Sequence, residues 1–516
     1  MQSKQILSAS PPVGLWDARE TVKAYDEHFR RRQHFVRTSA FNDPGPAISR
    51  SSDSDSLKII SPVDGQVYVE RSLETATGID RALDSARRAQ RTWGSLPLPI
   101  RCEILGDAID AFVAKAVDIA AEITWQMGRP IRHSPSEVRE LEERARYMLR
   151  SAPPALLALH SGDKATSQRQ IKRVPLGVVA VVAPWNYPYL AAANAVLPAL
   201  IAGNAVVLKH SHQTPLCAER FLEAFLTAGV PTGVFQYLHL SHSDAAGLMS
   251  DRRIASVHFT GSMLGGRAVV AATAVGFATS DLELGGRDPA YVRADANLPH
   301  AIETLTHDAF FNAGQSRCGI KQVYVAASRY EDFIDGLVDL TKKYRLGSPL
   351  DPETTLGPVV STSVAEALRS HVRAAVARGA KQLIDQASFK ASAPGTPYLA
   401  PQVLVGVDHS MEIMRDATFG PAVGIMKVAS DEEALRLMND SELSVSAAIF
   451  SASLPRAEAL GDLLDTGTVY LNRCGHGPVP SSTGDEAWEA GYGSSVGFEQ
   501  LTRPKSYQFR AATGGR

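Results

Sequence analysis

From residue 176 onward, short apolar runs alternate with helix-length segments, and this rhythm constrains the fold more than any other feature of the chain. LGVVAVVAP predicts a buried strand followed by a helix at 189–201. NAVVLKH is the next strand, and TPLCAERFLEAFLTAG is its helix, stopped at Gly229. GVFQYLHL, IASVHFTG and ATSDLELGG continue the series, with SDAAGLMS and GGRAVVAATA as helices between them. The pattern predicts a parallel sheet with helices on both faces. A second series begins near Pro289 with PAYV, a helix at 298–313, KQVYVAA and EDFIDGLVDLTKKYRLG. It continues through KQLID, YLAPQVLVGV, GIMKV, SAAIFS and GTVYLN. At 516 residues the chain is too long for one ordinary core. Two α/β domains joined near residue 288 are expected.

Ahead of this series, residues 1–57 form a polar N-terminal extension ending in the solvated run SRSSDSDS. A helical region follows at 77–152, with apolar residues at spacings of three and four. A net charge of -2 offers no pull toward nucleic acid or an anionic membrane. The four cysteines lack paired spacing, which argues against a disulfide framework or a zinc site and for a reducing compartment. The fourteen histidines contain no H-E-x-x-H pattern, so metal chemistry is not expected. The most apolar stretch, 191–208, contains Asn194, Pro198, Gly203 and Asn204, and reads as a helix, a turn and a strand, not a membrane span. No apolar signal core opens the chain. The arginines at 30–32 suggest a transit peptide, but Asp17, Glu20, Asp26 and Glu27 dilute the pattern, so a cytoplasmic location is expected.

In an open parallel sheet, ligands bind beyond the carboxyl ends of the strands. Those ends carry Pro184-Trp185-Asn186-Tyr187-Pro188, then Lys209, then Phe259-Thr260-Gly261-Ser262, then Glu283-Leu284-Gly285-Gly286. Asn312-Ala313-Gly314-Gln315 closes the helix at 298–313. Together PWNYP, VVLKHSHQTP, FTGS, LELGG, FFNAGQ and FGP resemble the aldehyde dehydrogenase superfamily, in its order and over about residues 58 to 511.

The resemblance implies a Rossmann-type cofactor domain (58–160 and 176–288), an α/β catalytic domain (289–474) and a small oligomerisation element (161–175 and 475–511). It implies a homodimer or homotetramer acting on a small-molecule aldehyde with NAD or NADP. In that chemistry a cysteine thiolate attacks the carbonyl, an oxyanion donor steadies the adduct, and hydride leaves for the nicotinamide. A carboxylate then activates water against the thioester. Asn186 resembles the oxyanion donor; its plainer alternative is a turn asparagine before Pro188. Glu283 resembles the base; its alternative is a carboxylate held by backbone donors. Lys209 and Ser262 look like dinucleotide contacts, with Pro184, Trp185, Gly261, Gly266 and Phe419 beside them. An exposed strand-end lysine is the alternative for Lys209. The FTGS turn, with Gly265 and Gly266, would let a helix N-terminus approach the pyrophosphate.

The pattern breaks at its reactive centre. The family's nucleophile aligns with Arg317 in Gln315-Ser316-Arg317-Cys318, and the cysteine falls one residue later. Consecutive Cα atoms lie about 3.8 Å apart, whereas a misplacement of about 1 Å can cost about a hundredfold in rate. Cys318 serves only if the loop shifts, with Arg317 then acidifying its thiol; the alternative is a small buried side chain. Ala417 stands where the family holds the nicotinamide ribose with an acid, with Asp416 adjacent. His212 stands where many members bond the adenosine ribose with a glutamate. The C-terminal segment keeps QLTRPKS but lacks the usual lysine and S-G-x-G run. A slow aldehyde oxidation through Cys318 is therefore expected. A pseudoenzyme, acting as a dinucleotide-binding or assembly subunit of the same fold, is the alternative, and an esterase-like or reductase side reaction a third.

Overall fold

The computed structural model describes residues 56–157, 159–164, 167–415, 419–440, 444–475 and 495–510. Most of the expected N-terminal extension lies outside these residues. Its last two, Ser56 and Leu57, belong instead to strand β1 (Ser56–Ile60), paired antiparallel with β2 (Val67–Ser72).

The helical region divides where the sequence carries breakers. Helix α1 (Ala76–Ser95) starts at Thr75, whose hydroxyl accepts from the Gly78 amide, and Pro97 introduces α2 (Leu98–Val113). Helix α3 (Ala116–Met127) ends at Gly128, whose φ of 83° suits a residue without Cβ. Helix α4 (Ser134–Ala155) buries Val138, Leu141, Ala145 and Met148 on one stripe. Next come β3 (Leu159–Lys164) and β4 (Ser167–Pro175), which join β17 (Thr502–Arg510) in a three-stranded antiparallel sheet.

The first alternating series forms a five-stranded parallel sheet from β5 (Val178–Ala183), β6 (Ala205–His210), β7 (Phe235–Tyr237), β8 (Ile254–Gly261) and β9 (Thr279–Leu284). Its order is β7-β6-β5-β8-β9, so the strand order reverses at β5 and opens a crevice beyond the ends of β5 and β8. The crossovers are α5 (Pro188–Ala202), α6 (Pro215–Thr227), α7 (His242–Ser250) and α8 (Met263–Gly276). Trp93, Phe112, Met148, Leu197 and Phe221 pack on one side with Val179 and Val206. Leu83, Leu248 and Val269 pack on the other with Ala180 and Val207. Both faces are therefore covered, which explains the unbroken apolar strands.

The second series builds a seven-stranded sheet of order β12-β13-β14-β11-β10-β15-β16. Its strands are β10 (Asp288–Val292), β11 (Ile320–Ala326), β12 (Lys381–Gln382), β13 (Gln402–Val405), β14 (Ala422–Val428), β15 (Ser446–Phe450) and β16 (Thr468–Leu471). All its pairings are parallel except β12 with β13. Two expectations need correction. GVFQYLHL contributes only the three residues of β7, and helix α9 (Leu298–Phe310) stops three residues before 313. Among the described residues, no helix is long and apolar enough to cross a membrane.

Candidate active site

Strand β5 ends in the turn that carries Asn186, and Pro188 opens α5. Asn186 is buried. Its Nδ2 donates to the Gln315 carbonyl at 3.1 Å, and its own carbonyl accepts from Arg129 Nη2 at 2.6 Å and Asn312 Nδ2 at 3.0 Å. Arg129 also donates to Asn312 Oδ1 at 3.1 Å and pairs with Glu137; both of these charged side chains are fully buried. The free oxygen of Glu137 accepts the Tyr189 and Leu190 amides at 2.7 and 3.2 Å, placing a carboxylate on the N-terminus of α5. This pair escapes the sequence reading. Its signal is there, because Glu137 lies on the helical stripe of Leu141, Ala145 and Met148, where an unpaired carboxylate would not be stable.

The reactive loop leaves α9 in an uncommon shape. Asn312, Ala313 and Gly314 all have left-handed φ, at 52°, 55° and 66°. For a residue with a Cβ this costs about 1–2 kcal/mol, so the loop needs tethers. Gln315 supplies two: its Nε2 donates to the Asn312 carbonyl at 3.0 Å, and its Oε1 accepts the Val360 amide at 2.7 Å. Buried Lys321 adds another, donating to the Gly314 and Gly420 carbonyls at 2.6 and 2.9 Å. Burial lowers the Lys321 pKa to about 8. A Cβ on Gly314 would meet the Gly420 carbonyl oxygen at 2.2 Å, so the loop also requires glycine there for space. Lys321 is a second group that the sequence reading misses.

Beyond these tethers, Arg317 turns its guanidinium onto the Glu283 carboxylate, with the Leu284 carbonyl 3.5 Å away. The Gly286 amide donates to the Arg317 carbonyl at 3.3 Å, and the Gly285 amide to the Gly261 carbonyl at 2.9 Å. The LELGG segment thus joins the reactive loop to the end of β8. Burial favours a neutral Arg317, but the neighbouring Cys318 and Glu283 outweigh it and raise its pKa.

Cys318 departs from expectation. It retains some accessible surface, yet the surrounding protein pushes its pKa up to about 12. The Arg317 cation pulls the other way but is outweighed, and carboxylates at Asp288, Asp308 and Glu283 add to the rise. The expected acidification by Arg317 is therefore overturned by desolvation.

The remaining predicted contacts lie at or just beyond strand ends, except Gly266, inside α8, and Phe419, ahead of β14. Lys209 is the penultimate residue of β6, 7% exposed, and forms no hydrogen bond or ion pair with any described residue; burial lowers its pKa to about 8. Ser262 caps α8, accepting the Gly265 amide at 3.1 Å. The glycines around it serve packing. A Cβ at Gly261 or Gly265 would come within 2.5 Å of the Phe259 ring, and one at Gly266 within 2.6 Å of Leu284. Half-buried Pro184 precedes Trp185, whose ring centroid lies 6.0 Å from that of Phe419. Asp416 and Ala417 lie outside the described residues.

A parallel sheet that reverses order beside a loop carrying thiol and amide groups, with a carboxylate at the end of β9 facing that loop, fits a dinucleotide-dependent oxidoreductase. Residues 49–502 match the aldehyde dehydrogenase family model, and the chain belongs to that family. It is similar to the succinate semialdehyde dehydrogenase [NAD(P)+] of Escherichia coli, with 30% identity over 413 residues, 80% of this chain and 88% of that one. It is also similar to the betaine aldehyde dehydrogenase of Cereibacter sphaeroides, with 31% identity over 436 residues, 83% of this chain and 88% of that one. Among solved structures, a succinic semialdehyde dehydrogenase from Streptococcus pyogenes in complex with NADP+ superposes with a TM-score of 0.81 at 25% identity. That match covers 88% of this chain and all of the other. The family and these relatives are NAD(P)-dependent enzymes of aldehyde oxidation.

Proposed function

We infer that the chain oxidises an aldehyde to the carboxylic acid slowly, through the Cys318 thiol, with the Arg317–Glu283 ion pair as its brake. That ion pair carries the reading: the base and the cation at the aligned nucleophile position hold each other.

The Lys209 ammonium, on a largely buried side chain and without a hydrogen bond or ion pair to any described residue, fits a dinucleotide near the end of β6, and the Trp185 and Phe419 rings fit its other end. Pro184, Gly261, Ser262 and Gly266 would shape the strand ends between them. When bound, the dinucleotide supplies the two-electron acceptor. The rest falls to the chain. Cys318 loses its proton to solvent and its Sγ bonds to the aldehyde carbon, while Arg317 swings off Glu283 to free that carboxylate. Asn186 Nδ2 exchanges the Gln315 carbonyl for the substrate oxygen. After oxidation, Glu283 takes a proton from the water that cleaves the thioester, releasing acid.

Magnitude sets the pace. With a pKa of about 12, about one Cys318 in ten thousand is thiolate at pH 8. An ordinary thiol would be roughly a quarter ionised there, a difference of about a thousandfold. NAD(P)H formation is to be followed over an aldehyde panel that includes succinate semialdehyde and betaine aldehyde. With saturating dinucleotide, the rate should climb nearly tenfold per pH unit from 7 to 10 without levelling, and Cys318→Ser should abolish it. A plateau near pH 8, or activity that survives Cys318→Ser, would remove Cys318 from the mechanism. The ion pair and the protonated thiol also favour a second reading, a dinucleotide-binding subunit without turnover. Binding with no NAD(P)H formed from any aldehyde would select it.

The same reading assigns 58–160 and 176–288 to cofactor binding, 289–474 to catalysis, and 161–175 with 475–511 to assembly of a cytoplasmic homo-oligomer. Exposed Leu264, Val270, Val275 and Phe277 on and just beyond α8, together with the edge strand β16, support association. Sedimentation at micromolar protein should show a dimer or larger; a clean monomer would overturn the assembly assignment.

A further inference from the structure

A cleft of about 460 Å³ lies at the β12–β13 edge of the seven-stranded sheet, between the helix Thr362–Ala377 and the chain that leads from β12 into β13. That volume is within the range of small-molecule sites. On the helix side, Arg369, Val372, Arg373 and Val376 follow one another at the spacings of three and four that make one helix face. Arg369 keeps the two walls apart. It is buried and donates to the Ala393, Thr396 and Tyr398 carbonyls at 2.8, 3.1 and 2.7 Å, bracing the incoming chain against the helix. On the other wall, Leu399 shares an apolar cluster with Val372, and buried Gln402 donates to the Ala400 carbonyl at 2.8 Å while accepting from Gln382. Arg373 differs from these: it is exposed and forms no hydrogen bond or ion pair with any described residue. Ser392 accepts the Ala400 amide at 3.1 Å and donates to no described residue. No acid lines the cleft, so its field is positive. The acids beside it are engaged. Glu366, which feels the Arg373 charge, accepts from Arg369 and from the Gly395 amide, both at 2.8 Å, and Asp385 accepts the Ala387 amide at 2.9 Å.

We propose that this cleft binds an amphiphilic organic anion, a carboxylate on an apolar chain, with the carboxylate on Arg373 and the chain along Val372, Val376 and Leu399. The two halves of the ligand follow from the two halves of the wall. A free guanidinium presents a planar fork that matches a carboxylate, and the Ser392 hydroxyl supplies a further donor. Val376 is exposed, and an apolar chain laid over it would remove that surface from water. None of these residues belongs to the candidate active site, so the cleft is a separate site whatever the chain oxidises.

Calorimetric titration of the full chain with octanoate, octanol and inorganic phosphate tests the two halves separately. Octanoate should bind in roughly the micromolar to millimolar range, at least about tenfold more tightly than either of the others. Added salt should weaken it, because Arg373 is exposed. Arg373→Glu should weaken octanoate by about tenfold or more, the scale of one charge-assisted hydrogen bond, whereas Arg373→Lys should keep most of the affinity. Val376→Asp, which sets an acid on the apolar wall, should weaken it by a similar factor. Both side chains are exposed, so the variants should fold. Octanoate held in the active site would not respond to either change. Unaltered affinity in Arg373→Glu and Val376→Asp would therefore place the ligand elsewhere and overturn the proposal. Phosphate or octanol binding as tightly as octanoate would overturn the amphiphile assignment, and no octanoate binding by the parent chain would remove the site altogether.

Discussion

Replacing Arg317 with cysteine is expected to raise aldehyde oxidation by about a hundredfold or more over the parent chain, the scale on which a roughly 1 Å error in placing reacting groups is felt. The substitution does two things at once. It removes the guanidinium that holds the Glu283 carboxylate, freeing the base, and it puts a thiol at the position from which the parent side chain already reaches Glu283. Guanidinium cannot substitute as a nucleophile, because it stays protonated. The loop needs no rebuilding, since its tethers from Gln315, Lys321, Asn312 and Arg129 come from other residues.

Three controls separate the contributions. Arg317→Ala frees Glu283 without adding a thiol, so its gain should be small. Cys318→Ser in the Arg317→Cys background should leave the gain intact. The rate should also level off at a lower pH than in the parent, once the thiol no longer waits on a pKa of about 12. The oxidised nicotinamide is cationic, so removing Arg317 should also tighten NAD(P)+ more than NAD(P)H. No gain with dinucleotide binding intact would show that the site has decayed beyond this one residue.

How far the sequence reaches depends on the range of the forces involved. The order of β5 to β9 and their helices is legible, because buried strands and amphipathic helices announce themselves within ten or so residues. The positions of Glu283, Asn186, Lys209 and Ser262 at or just beyond strand ends are legible for a related reason: strand ends are where a parallel sheet exposes groups to a ligand. The helix Thr362–Ala377 is passed over although its buried Ala365, Leu368, Val372 and Ala375 are as periodic as the others. The end of α9 is different in kind. Helical spacing runs on through Asn312 and Ala313, and it takes Arg129, Asn186 and Gln315, from elsewhere in the chain or just beyond, to hold them left-handed. The pKa of Cys318 is less legible still. Sequence adjacency to Arg317 suggests an acid thiol, whereas burial, with Asp288, Asp308 and Glu283 nearby, makes it a weak acid.

Arg129→Met should destabilise the fold by about 3–5 kcal/mol, the range for breaking a buried ion pair from one side. Glu137 would be left fully buried, with two backbone amides but no counter-ion, so its charged form would be strongly disfavoured. The loss should depend on pH in a definite direction. Burial already holds the Glu137 pKa above its ordinary value, with Arg129 as the main opposing influence. A carboxyl whose folded pKa is raised stabilises the fold most when protonated, and that contribution is lost as pH rises through the folded value. Without Arg129 that value rises further, so the deficit of Arg129→Met against the parent should shrink from pH 8 to pH 5. Urea unfolding at both pH values measures it. Arg129→Met combined with Glu137→Gln should recover part of the loss, because no charge remains buried, though the tethers from Arg129 to Asn312 and Asn186 stay broken. That residual loss should appear in the site as well as in stability. The double variant, made in the Arg317→Cys background, should fold yet turn over more slowly, since Arg129 joins the Asn186 turn to the left-handed loop. A deficit below about 1 kcal/mol that is the same at both pH values would mean the pair is dispensable and the loop is held by Lys321 and Gln315 alone.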